Sequence, residues 1–511
     1  MEGFFLNCIK SFQMVKKYIL SIDAGTTSSR AILFNKNAEV IEIAQYEFNQ
    51  FFPKEGWVEH DAAEIWNTQL RAIKDVISKS KIDPNEIDSI GVTNQRETTI
   101  IWDKQTGKPV YNAIVWQDRR TASFCDELIE KNKTSLIQQK TGLVIDAYFS
   151  GTKIKWILDN NQDLREKAND NELLFGTVDT WLIWNLTNGK SHITDPSNAS
   201  RTLLYNIKDD NWDKELLELF DVPLNILPKV VDSSSVSTNI DEEILGVEIP
   251  ISGIAGDQQA ALFGQLCINE GDIKNTYGTG CFCMMNTGEN FVMSKNKMLS
   301  TIAWRINGEI TYALEGSVFV AGALIQWLRD QLGIIKSSPE VEELAKTVNN
   351  NGGLTFVPAL SGLAAPYWDP YVQGTIFGIT RGTENGHIAR AALESIALRT
   401  RDIVVEMEKD AGIKFKDLKV DGGASNNNLL MQIQANLLNT NVVRPKTTET
   451  TALGVAFLAG LATGFWKDIS DLKKLWIEDM SFHPDTSFKS NDIIELWQNR
   501  INRLLKVNEQ I

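Results

Sequence analysis

The sequence predicts an α/β protein of two large domains. The chain has 511 residues, which is more than one hydrophobic core usually holds. Short apolar runs with the spacing of β-strands alternate with segments that repeat apolar side chains at helical spacing, and this alternation favours a layered α/β fold. A unit of strand, Gly/Thr turn and strand stands at the start of the chain and returns near residue 275, so we expect two halves of similar construction.

The first unit is a predicted β-hairpin. Residues 18–22 and 31–34 are apolar runs, and a segment rich in glycine and hydroxyl side chains separates them. A glycine turn between two such runs is typical of a hairpin. Asp23 closes the first strand, and the hydroxyls and backbone N–H groups of the turn at 25–29 are suited to hold a phosphate.

The elements after the hairpin continue the alternation. Residues 62–78 have apolar side chains at helical spacing, and Asp61 is placed to cap their first turn. Residues 87–92 form a predicted strand, and the shorter apolar runs 99–102 and 113–116 follow it. These elements complete the predicted α/β layer of the first half.

The second half repeats the pattern and adds a third glycine turn. Residues 275–282 run as strand, Gly/Thr turn and strand. Residues 374–379 are a predicted strand before a helix at 386–411, and the turn at 420–425 precedes a helix at 427–438. A glycine turn before a helix leaves backbone N–H groups free to bind an anion. The sequence contains no GxxxxGK[ST] pattern, which excludes a P-loop enzyme.

Composition and charge argue against several classes of protein. Lys and Arg total 51 and Asp and Glu total 66, so the net charge is −15, which disfavours binding to nucleic acid. No stretch reaches the roughly 18 consecutive apolar residues of a transmembrane helix, so we expect no membrane span. The longest candidate, 451–464, is rich in small residues and predicts a closely packed buried helix.

The five cysteines are odd in number and scattered, at Cys8, Cys125, Cys267, Cys281 and Cys283. This pattern is not a disulfide framework, and no histidine or further cysteine pair completes a zinc set. We therefore predict reduced thiols and a cytoplasmic enzyme. Residues 1–13 lack the features of a secretory signal, and we predict that they form an N-terminal extension outside the fold.

Asp257 is the candidate catalytic carboxylate. It stands at the junction of an apolar β-like run and a helix predicted at 258–266. A carboxylate in this position can accept a proton from a bound hydroxyl, but an aspartate before a helix is also a common N-cap. Position alone does not separate the two interpretations.

Several long segments combine these turns with polar residues at fixed spacing. They include SIDAGTTSSR at 21–30, GVTNQRETT at 91–99, WQDRR at 116–120, YFSGTKIKWILDN at 148–160, SGIAGDQQAALFGQ at 252–265, NTYGTGCF at 275–282, GTIFGITRGTENGHIARAALE at 374–394 and VDGGASNNNLL at 420–430. Together they resemble the FGGY family of carbohydrate kinases over essentially residues 17–480. The resemblance implies a two-domain actin-like ATPase fold, in which duplicated ribonuclease-H-like cores flank a nucleotide cleft.

The resemblance also implies an activity, which is phosphoryl transfer from ATP, with Mg²⁺, to glycerol. The product would be sn-glycerol 3-phosphate, which feeds glycerol catabolism and glycerolipid synthesis. The resemblance implies a first domain at 14–264 that binds glycerol and the phosphates, a second domain at 265–511 that binds adenosine, and a homodimer. Asp257 is then the general base and more than an N-cap.

The nucleotide contacts that the resemblance implies lie on the glycine turns and at two helix starts. Asp23 is the predicted Mg²⁺ partner, and the alternative is an aspartate that caps the hairpin. The predicted phosphate contacts are Thr26, Thr27, Ser28, Arg30 and Thr279, and the predicted adenosine contacts are Gly322, Gln326, Gly423 and Asn427. The alternative for Arg30, which begins the return strand, is a solvated strand-edge cation. Without the resemblance, the adenosine set would be interpreted as helix-packing positions.

The acceptor contacts that the resemblance implies combine polar and aromatic residues: Arg96, Glu97, Trp116, Tyr148, Asp257, Gln258 and Phe282. The polar groups would pair with hydroxyls, and the rings of Trp116 and Phe282 would pack against the C–H edge. An adjacent Arg–Glu pair is otherwise most often exposed at a surface. Three alternatives stay open: a family member acting on a longer polyol or ketose, an actin-like switch ATPase without a small acceptor, and an inactive binding paralogue.

Overall fold

The computed structural model describes residues 15–369 and 371–508 of the chain. The extension predicted at residues 1–13, with Cys8, lies outside these ranges. Within them, no helix combines the length and the apolar character that crossing a membrane would require. The other four cysteines are free and buried.

The strands are numbered β1 to β23 in chain order. Those up to residue 256 are β1 Tyr18–Ala24, β2 Ser28–Asn35, β3 Val40–Glu47, β4 Glu59–His60, β5 Ile87–Asn94, β6 Ile100–Asp103, β7 Ala113–Ile114, β8 Leu173–Gly176, β9 Ile193–Thr194, β10 Tyr205–Asn206, β11 Asn211–Trp212, β12 Lys229–Val230, β13 Ser234–Asn239 and β14 Pro250–Gly256. Those after it are β15 Ile273–Tyr277, β16 Cys281–Gly288, β17 Leu299–Ile306, β18 Glu309–Val318, β19 Thr355–Val357, β20 Thr375–Phe377, β21 Asp417–Asp421, β22 Asn441–Pro445 and β23 Glu478–Phe482.

The α-helices are numbered α1 to α17 in the same way. They are α1 Ala62–Ser80, α2 Ala122–Glu130, α3 Thr134–Thr141, α4 Ser150–Asp159, α5 Gln162–Asn169, α6 Val178–Leu186, α7 Pro196–Ala199, α8 Lys214–Phe220, α9 Glu242–Leu245, α10 Asp257–Gly264, α11 Gly322–Asp330, α12 Glu340–Lys346, α13 Asn385–Ala411, α14 Asn428–Leu438, α15 Thr450–Thr463, α16 Ile469–Leu475 and α17 Ser490–Asn508. Short 3₁₀ turns span Pro84–Glu86, Leu224–Ile226 and Gly423–Asn426.

The hairpins predicted in the two halves are confirmed. β1 and β2 pair antiparallel, with Asp23 opposite Arg30. β15 and β16 pair antiparallel around the turn at 278–280. β1 is buried along almost its whole length, which agrees with the continuous apolar run that predicted it.

Each half contains the same arrangement of five strands. In the first half, antiparallel β3 lies beside β2, and the parallel strands β5 and β14 follow beside β1. In the second half, antiparallel β18 lies beside β16, and the parallel strands β21 and β22 follow beside β15. The predicted duplication of an α/β unit is therefore confirmed, while the boundary between residues 264 and 265 stays a prediction.

One continuous sheet of 13 strands runs through both halves. Its order is β23-β22-β21-β15-β16-β18-β17-β13-β14-β5-β1-β2-β3. The junction between the halves is a single parallel residue pair, Ser234 with Ile306, between β13 and β17. The sheet is therefore at its weakest where the two halves meet.

Helix α1 shows why the predicted helices form. Asp61 caps its first turn by accepting a hydrogen bond from the Ala63 N–H at 2.8 Å, and Lys81 ends it in the left-handed conformation. Its buried face, which includes Ile65 and Ile73, packs on β2 and β3. The helix predicted at 62–78 is thus confirmed and continues to Ser80.

Two predicted strands are shorter in the structure. The run 113–116 pairs only at Ala113–Ile114, and the Trp116 N–H turns to the Thr98 hydroxyl at 3.3 Å. The run 374–379 pairs only at Thr375–Phe377, because Gly378 adopts a φ of +84° and ends the strand. The first strand thus ends at a local hydrogen bond, and the second ends at a left-handed glycine.

Helices α10 and α15 cross between the two halves at backbone contact. α15 packs on β1, β5, β13 and β14, whereas α10 also contacts β15 and β16. A Cβ atom on Gly454 would lie 1.8 Å from the Ala260 carbonyl oxygen, and one on Gly264 would lie 2.0 Å from the Thr450 carbonyl oxygen. Only glycine permits this approach, so the small residues that predicted a buried helix at 451–464 serve a helix crossing.

Gly454→Ala tests this crossing. Alanine is favoured over glycine in an isolated helix by ~1 kcal/mol, but its Cβ has no room beside the Ala260 carbonyl. We expect the steric clash to outweigh the gain in helix propensity. The free energy of unfolding, measured in urea, should therefore fall by about 1–3 kcal/mol. Gly382→Ala is the control, because its Cβ would meet only the Thr380 hydroxyl, at 3.9 Å. Equal stability of the two variants would contradict the crossing.

Candidate active site

Three neighbouring parallel strands bring predicted site residues to one edge of the sheet. β1, β5 and β14 run parallel, and their carboxyl ends are in register. Asp23 lies at the end of β1, Arg96 just after β5, and Asp257 just after β14. Open α/β sheets bind their ligands at this edge, so we place the candidate site here.

Asp257 is the first residue of α10, and its carboxylate opens on the site. The side chain is 30% exposed. Its Oδ1 accepts a hydrogen bond from the Gln258 N–H at 2.7 Å and lies 3.3 Å from Arg96 Nε. Gly256 is the N-cap of the helix, so helix capping does not account for this carboxylate. No hydrogen bond from the described residues reaches Oδ2, which leaves that oxygen for a ligand.

The surroundings of Asp257 make it a stronger base than an ordinary aspartate. Removal from water raises the pKa of Asp257 to about 6, and the Arg96 guanidinium limits that rise. Glu97 and Asp23 raise the pKa further, while Lys274 lowers it. A carboxylate with this pKa is mostly ionised at neutral pH and still basic enough to take a proton, as a general base must be.

Arg96 and Glu97 are buried in the interior. Their side chains are 2% and 1% exposed. Arg96 donates to both carboxylate oxygens of Glu315, at 2.5 and 3.0 Å, and to Gln259 Oε1 at 3.0 Å. Glu97 accepts a hydrogen bond from Arg201 Nε at 2.6 Å. The alternative of an exposed surface pair is therefore wrong.

Arg96, Glu97, Arg201 and Glu315 form a group that we call the charge cluster. Arg201 completes it by donating to Glu315 Oε1 at 3.0 Å. Burial by itself would raise the pKa of Glu315, but the charges of Arg201 and Arg96 outweigh burial and hold that pKa at about 2. Two positive and two negative charges compensate each other, which is the condition for keeping ions out of water.

Glu97 adopts an unusual backbone conformation. Its φ is +60°, and the Thr98 N–H donates back to the Arg96 carbonyl at 2.7 Å. A residue other than glycine in a sparsely populated backbone region costs roughly 1–3 kcal/mol, and such residues cluster at functional sites. The Ser150 hydroxyl donates to the Glu97 carbonyl at 2.9 Å and helps to hold the turn.

Aromatic rings from both halves close one side of the site. The Trp116 ring centre lies 5.6 Å from that of Tyr148 and 6.3 Å from that of Phe282, both in edge-to-face geometry. Trp116 Nε1 donates to the Thr26 hydroxyl at 3.1 Å, which links this wall to the first glycine turn. Burial raises the pKa of the Tyr148 hydroxyl and keeps it a neutral donor. The structure thus brings the three predicted aromatic residues together.

Gln258 is held by a buried lysine. Lys274, on β15, donates to Gln258 Oε1 at 2.6 Å and to the Thr276 hydroxyl at 2.8 Å. Burial lowers the pKa of Lys274, and the carboxylates of Asp421 and Asp257 oppose that shift. Because the amide oxygen of Gln258 is engaged, its N–H₂ group is the part that can meet a ligand.

The first glycine turn presents hydroxyl side chains at its tip. The Gly25 N–H donates to the Ser28 carbonyl at 2.9 Å and closes the turn. Thr27 is exposed, Thr26 is half-buried beneath Trp116, and Ser28 is buried at the start of β2. The predicted phosphate contacts at 26–28 therefore share one turn, but they differ in their accessibility to a ligand.

Asp23 and Arg30 form an ion pair across the first hairpin. Arg30 also donates to Glu449 Oε2 at 2.7 Å, and Glu449 lies at the start of α15. The alternative of a solvated Arg30 is therefore wrong. The Asp23 carboxylate is engaged by a side chain and does not cap its own hairpin.

Asp23 is the carboxylate that this turn offers to a metal. Within 15–369 and 371–508, no three His, Cys, Asp or Glu side chains are grouped as metal ligands. A Mg²⁺ ion here would take one protein carboxylate and complete its shell with phosphate and water oxygens, which is its usual arrangement. The donor set thus fits a nucleotide-bound Mg²⁺.

The second and third glycine turns converge beside Thr279. The Gly322 N–H, at the start of α11, donates to the Gly278 carbonyl at 3.0 Å. A Cβ atom on Gly322 would lie 2.5 Å from that carbonyl oxygen, and one on Gly422 would lie 2.5 Å from the Tyr277 carbonyl oxygen. Glycine at these positions lets the turns at 278–280 and 422–423 approach each other.

The predicted adenosine residues lie largely on open surface. Gln326 and Gly423 are exposed, and Gly322 and Asn427 are half-buried. A Cβ atom on Gly423 would meet nothing within 4 Å. Asn427 caps α14, because its side-chain oxygen accepts a hydrogen bond from the Leu430 N–H at 2.8 Å. Helix packing therefore does not explain Gln326 or Gly423.

Two family models match most of the chain. The N-terminal domain model of the FGGY family of carbohydrate kinases matches residues 18–264, and the C-terminal domain model matches residues 273–463. The chain belongs to the FGGY family of carbohydrate kinases.

Relatives match this FGGY family member over nearly their whole length. "Glycerol kinase 2" of Thermotoga maritima is 58% identical over 490 residues, which cover 96% of this chain and 99% of that relative. "Glycerol kinase" of Alkaliphilus oremlandii is 56% identical over 498 residues, which cover 97% of this chain and 99% of that relative. The crystal structure of Plasmodium falciparum glycerol kinase with ADP matches with a TM-score of 0.90 at 37% identity, over 96% of this chain and 99% of that chain. The predicted two-domain fold of the actin-like ATPase type is confirmed.

Three charged residues of the candidate site were not predicted from the sequence. Glu315 follows the apolar residues 312–314 directly, and Lys274 stands just before the second glycine turn. A charged residue in a strand that is predicted to be buried needs a partner of opposite charge. This pattern could have predicted Glu315 and Lys274 as members of a buried charged site. Arg201 follows the short helix α7, and no local pattern marks it.

Gly423→Val tests the predicted adenosine site. A Cβ here meets no protein atom and the backbone needs no left-handed φ, so we expect a melting temperature within about 2 °C of the parent. The added side chain would fill space in which adenosine is predicted to lie. We expect the affinity for ADP, measured by calorimetry, to fall at least about tenfold. Gly382→Val serves as the control, and unchanged ADP affinity in Gly423→Val would contradict the prediction.

Proposed function

We propose that this chain transfers the γ-phosphoryl group of ATP to a terminal hydroxyl of glycerol, giving sn-glycerol 3-phosphate and ADP. The observation that carries the proposal is the Asp257 carboxylate, which opens on the site with one oxygen free beside the buried pair Arg96 and Glu97. Relatives that are 56% and 58% identical bear the name glycerol kinase, and they support glycerol as the acceptor.

The site offers a three-carbon triol both polar and apolar partners. Arg96, Glu97, Gln258 and the Tyr148 phenol supply donors and acceptors for hydroxyls, and the rings of Trp116 and Phe282 pack against the C–H edge of the acceptor. A ligand that fails to pair with these buried groups leaves them unsatisfied, which is how hydroxyls are selected. We expect this combination of polar and aromatic residues to favour glycerol over a five- or six-carbon sugar.

Asp257 is the proposed general base. Its carboxylate accepts the proton of the attacking hydroxyl while that hydroxyl oxygen forms a bond to the γ-phosphorus. The bond from the γ-phosphorus to the β–γ bridging oxygen breaks, and ADP leaves. Arg96 Nε, 3.3 Å from Oδ1, orients the carboxylate. A positioned base contributes roughly 10²- to 10⁴-fold in rate, and positioning of the two substrates with charge stabilisation supplies the rest.

The glycine turns and Asp23 are proposed to hold Mg-ATP. Residues 26–28 and Thr279 contact the phosphates, and Arg30 exchanges one of its two carboxylate partners for a phosphate oxygen. The bound Mg²⁺ neutralises phosphate charge and orients the phosphate oxygens. The adenosine lies against the residues predicted for it, namely Gly322, Gln326, Gly423 and Asn427.

The product has two uses, because sn-glycerol 3-phosphate serves glycerol catabolism and glycerolipid synthesis. The cytoplasmic location, the homodimer and the domain ranges 14–264 and 265–511 stay predictions. The net charge of −15 gives no reason to expect a nucleic-acid partner.

Particular side chains disfavour two of the alternatives. A switch ATPase without an acceptor has no use for the buried pair Arg96 and Glu97, whose burial requires the whole charge cluster. An inactive paralogue has no need of a free, basic carboxylate at Asp257. A kinase for a longer polyol or ketose would use the same base, and only a comparison of acceptors separates it from the proposal.

ADP release with Mg-ATP, compared among glycerol, xylulose, ribulose, gluconate and no acceptor, tests the proposal. We expect turnover with glycerol to exceed turnover with each of the others by at least about 10²-fold, because the site selects by paired hydroxyls. Asp257→Asn keeps the size of the side chain and removes the base, so we expect kcat with glycerol to fall by roughly 10²- to 10⁴-fold.

Asp402→Asn is the control for that variant. Asp402 is a buried aspartate whose partners Arg399, Tyr367 and Trp497 lie outside the site. Its kcat should match that of the parent. ADP release at the same rate with and without an acceptor would indicate a switch ATPase. Faster ADP release with a ketose than with glycerol would indicate that the ketose is the substrate. If Asp257→Asn had the same kcat as the parent, only the assignment of Asp257 as the base would be wrong.

A further inference from the structure

A buried ion pair ties the candidate acceptor site to the second half of the chain. Glu315 lies on β18, between its neighbours β16 and β17. Arg96 follows β5 of the first half, and its guanidinium donates two hydrogen bonds to the Glu315 carboxylate, at 2.5 and 3.0 Å. The two side chains are 2% and 0% exposed. The contact therefore passes from one half to the other without access to water.

Arg201 makes a second bridge within the charge cluster. Its Nε donates to Glu97 at 2.6 Å, and its Nη2 donates to Glu315 at 3.0 Å. Its guanidinium carbon lies 5.6 Å from the centre of the Tyr148 ring. The side chain is 0% exposed. One arginine thus supports three residues, of which Glu97 and Tyr148 are predicted glycerol contacts.

We propose that Glu315 and Arg201 are positioning residues for the acceptor. They hold Arg96 and Glu97 in the orientation that binds glycerol, and Glu315 makes this orientation depend on the contact between the two halves. The inference rests on the proposed function. Neither side chain is exposed, so both act through Arg96 and Glu97 without touching glycerol.

The hydrogen bonds of Arg96 show what Glu315 does. Glu315 engages Nη1 and Nη2, Gln259 shares Nη1, and Nε faces Asp257 at 3.3 Å. If the charge of Glu315 is removed, Asp257 and Glu97 are the remaining carboxylates near Arg96. The Arg96 guanidinium then turns toward these two carboxylates. Arg96, Asp257 and Glu97 bind each other and are no longer available to the hydroxyls of glycerol.

Charge balance leads to the same expectation. The charge cluster holds two arginines and two glutamates, and loss of one carboxylate leaves it with one positive charge in excess, which strengthens the attraction of Arg96 to the neighbouring Asp257 carboxylate. Glutamine at position 315 would keep the shape of the side chain and one acceptor oxygen. Its N–H₂ group would face a second donor from Arg96, so the two-bond contact is lost.

A double-mutant cycle on the KM for glycerol tests the inference. Glu315→Gln is expected to raise that KM at least about tenfold and to leave the KM for Mg-ATP within about twofold. Because Glu315 acts through Arg96, the same change made in an Arg96→Ala background should raise the glycerol KM by less than about threefold. A merely structural Glu315 would give equal fold-changes in the two backgrounds.

Two further variants test whether the effect on the glycerol KM is specific to the charge of Glu315. Asp402→Asn removes a buried carboxylate of the second half that is bound by Arg399, Tyr367 and Trp497. It should lower the melting temperature and leave both KM values unchanged. Glu315→Asp keeps the charge, and it should recover part of the affinity for glycerol that Glu315→Gln loses.

The outcomes separate the inference from the proposed function. A parent enzyme that phosphorylates glycerol, with an unchanged glycerol KM in Glu315→Gln, would overturn the inference alone. A parent without glycerol-dependent turnover would overturn the proposed function and this inference with it. Should Glu315→Gln fail to fold, Arg201→Lys takes its place in a cycle with Glu97→Gln, and additive effects on the glycerol KM would again overturn the inference.

Discussion

The buried contact between Arg96 and Glu315 is the interaction on which the proposed acceptor site depends. It fixes an arginine that follows β5 of the first half to a carboxylate on β18 of the second. Removing one partner of a buried ion pair typically costs ~3–5 kcal/mol, so this contact limits how the two halves can sit against each other. The sheet itself supplies only one residue pair at the junction, Ser234 with Ile306. The close crossing of α10 and α15 is the second constraint on the same boundary.

The same charges govern the chemistry of the neighbouring carboxylate. Asp257 has a pKa of about 6, because removal from water outweighs the attraction of Arg96. An arginine whose charge is fully available to a nearby carboxylate lowers its pKa by roughly one to three units. Here burial, together with the charges of Glu97 and Asp23, opposes that effect and keeps Asp257 basic. In the proposed mechanism, a single arginine serves both the hydroxyls of the acceptor and the orientation of the base.

The sequence predicts the parts of this site that lie in local patterns. The hairpins at 18–34 and 275–282, the alternation of strands and helices, and the carboxylate at 257 all follow from apolar spacing and turn residues. The FGGY segments add the roles of Arg96 and Glu97. Glu315 and Arg201 could not be predicted, since Glu315 lies 219 positions from Arg96 and 114 from Arg201. Contacts over such separations depend on how the halves pack, and no local period encodes that. The pairing of Asp23 with Arg30 was likewise not predicted, although both were site candidates, because their register across the hairpin becomes visible only in the structure.

The dependence of kcat/KM for glycerol on pH, measured at saturating Mg-ATP, tests the central claim most directly, because it reports the ionisation of the base before glycerol binds. The carboxylate form of Asp257 is the active one, and its pKa is raised to about 6, so protonation should remove activity as the pH falls through that value. We predict a plateau at neutral pH and a fall of about tenfold per pH unit below about pH 6, which corresponds to a single proton. A profile that stays level to about pH 4.5, near the range of an ordinary aspartate, would contradict the account of a desolvated base held beside a charge-compensated arginine.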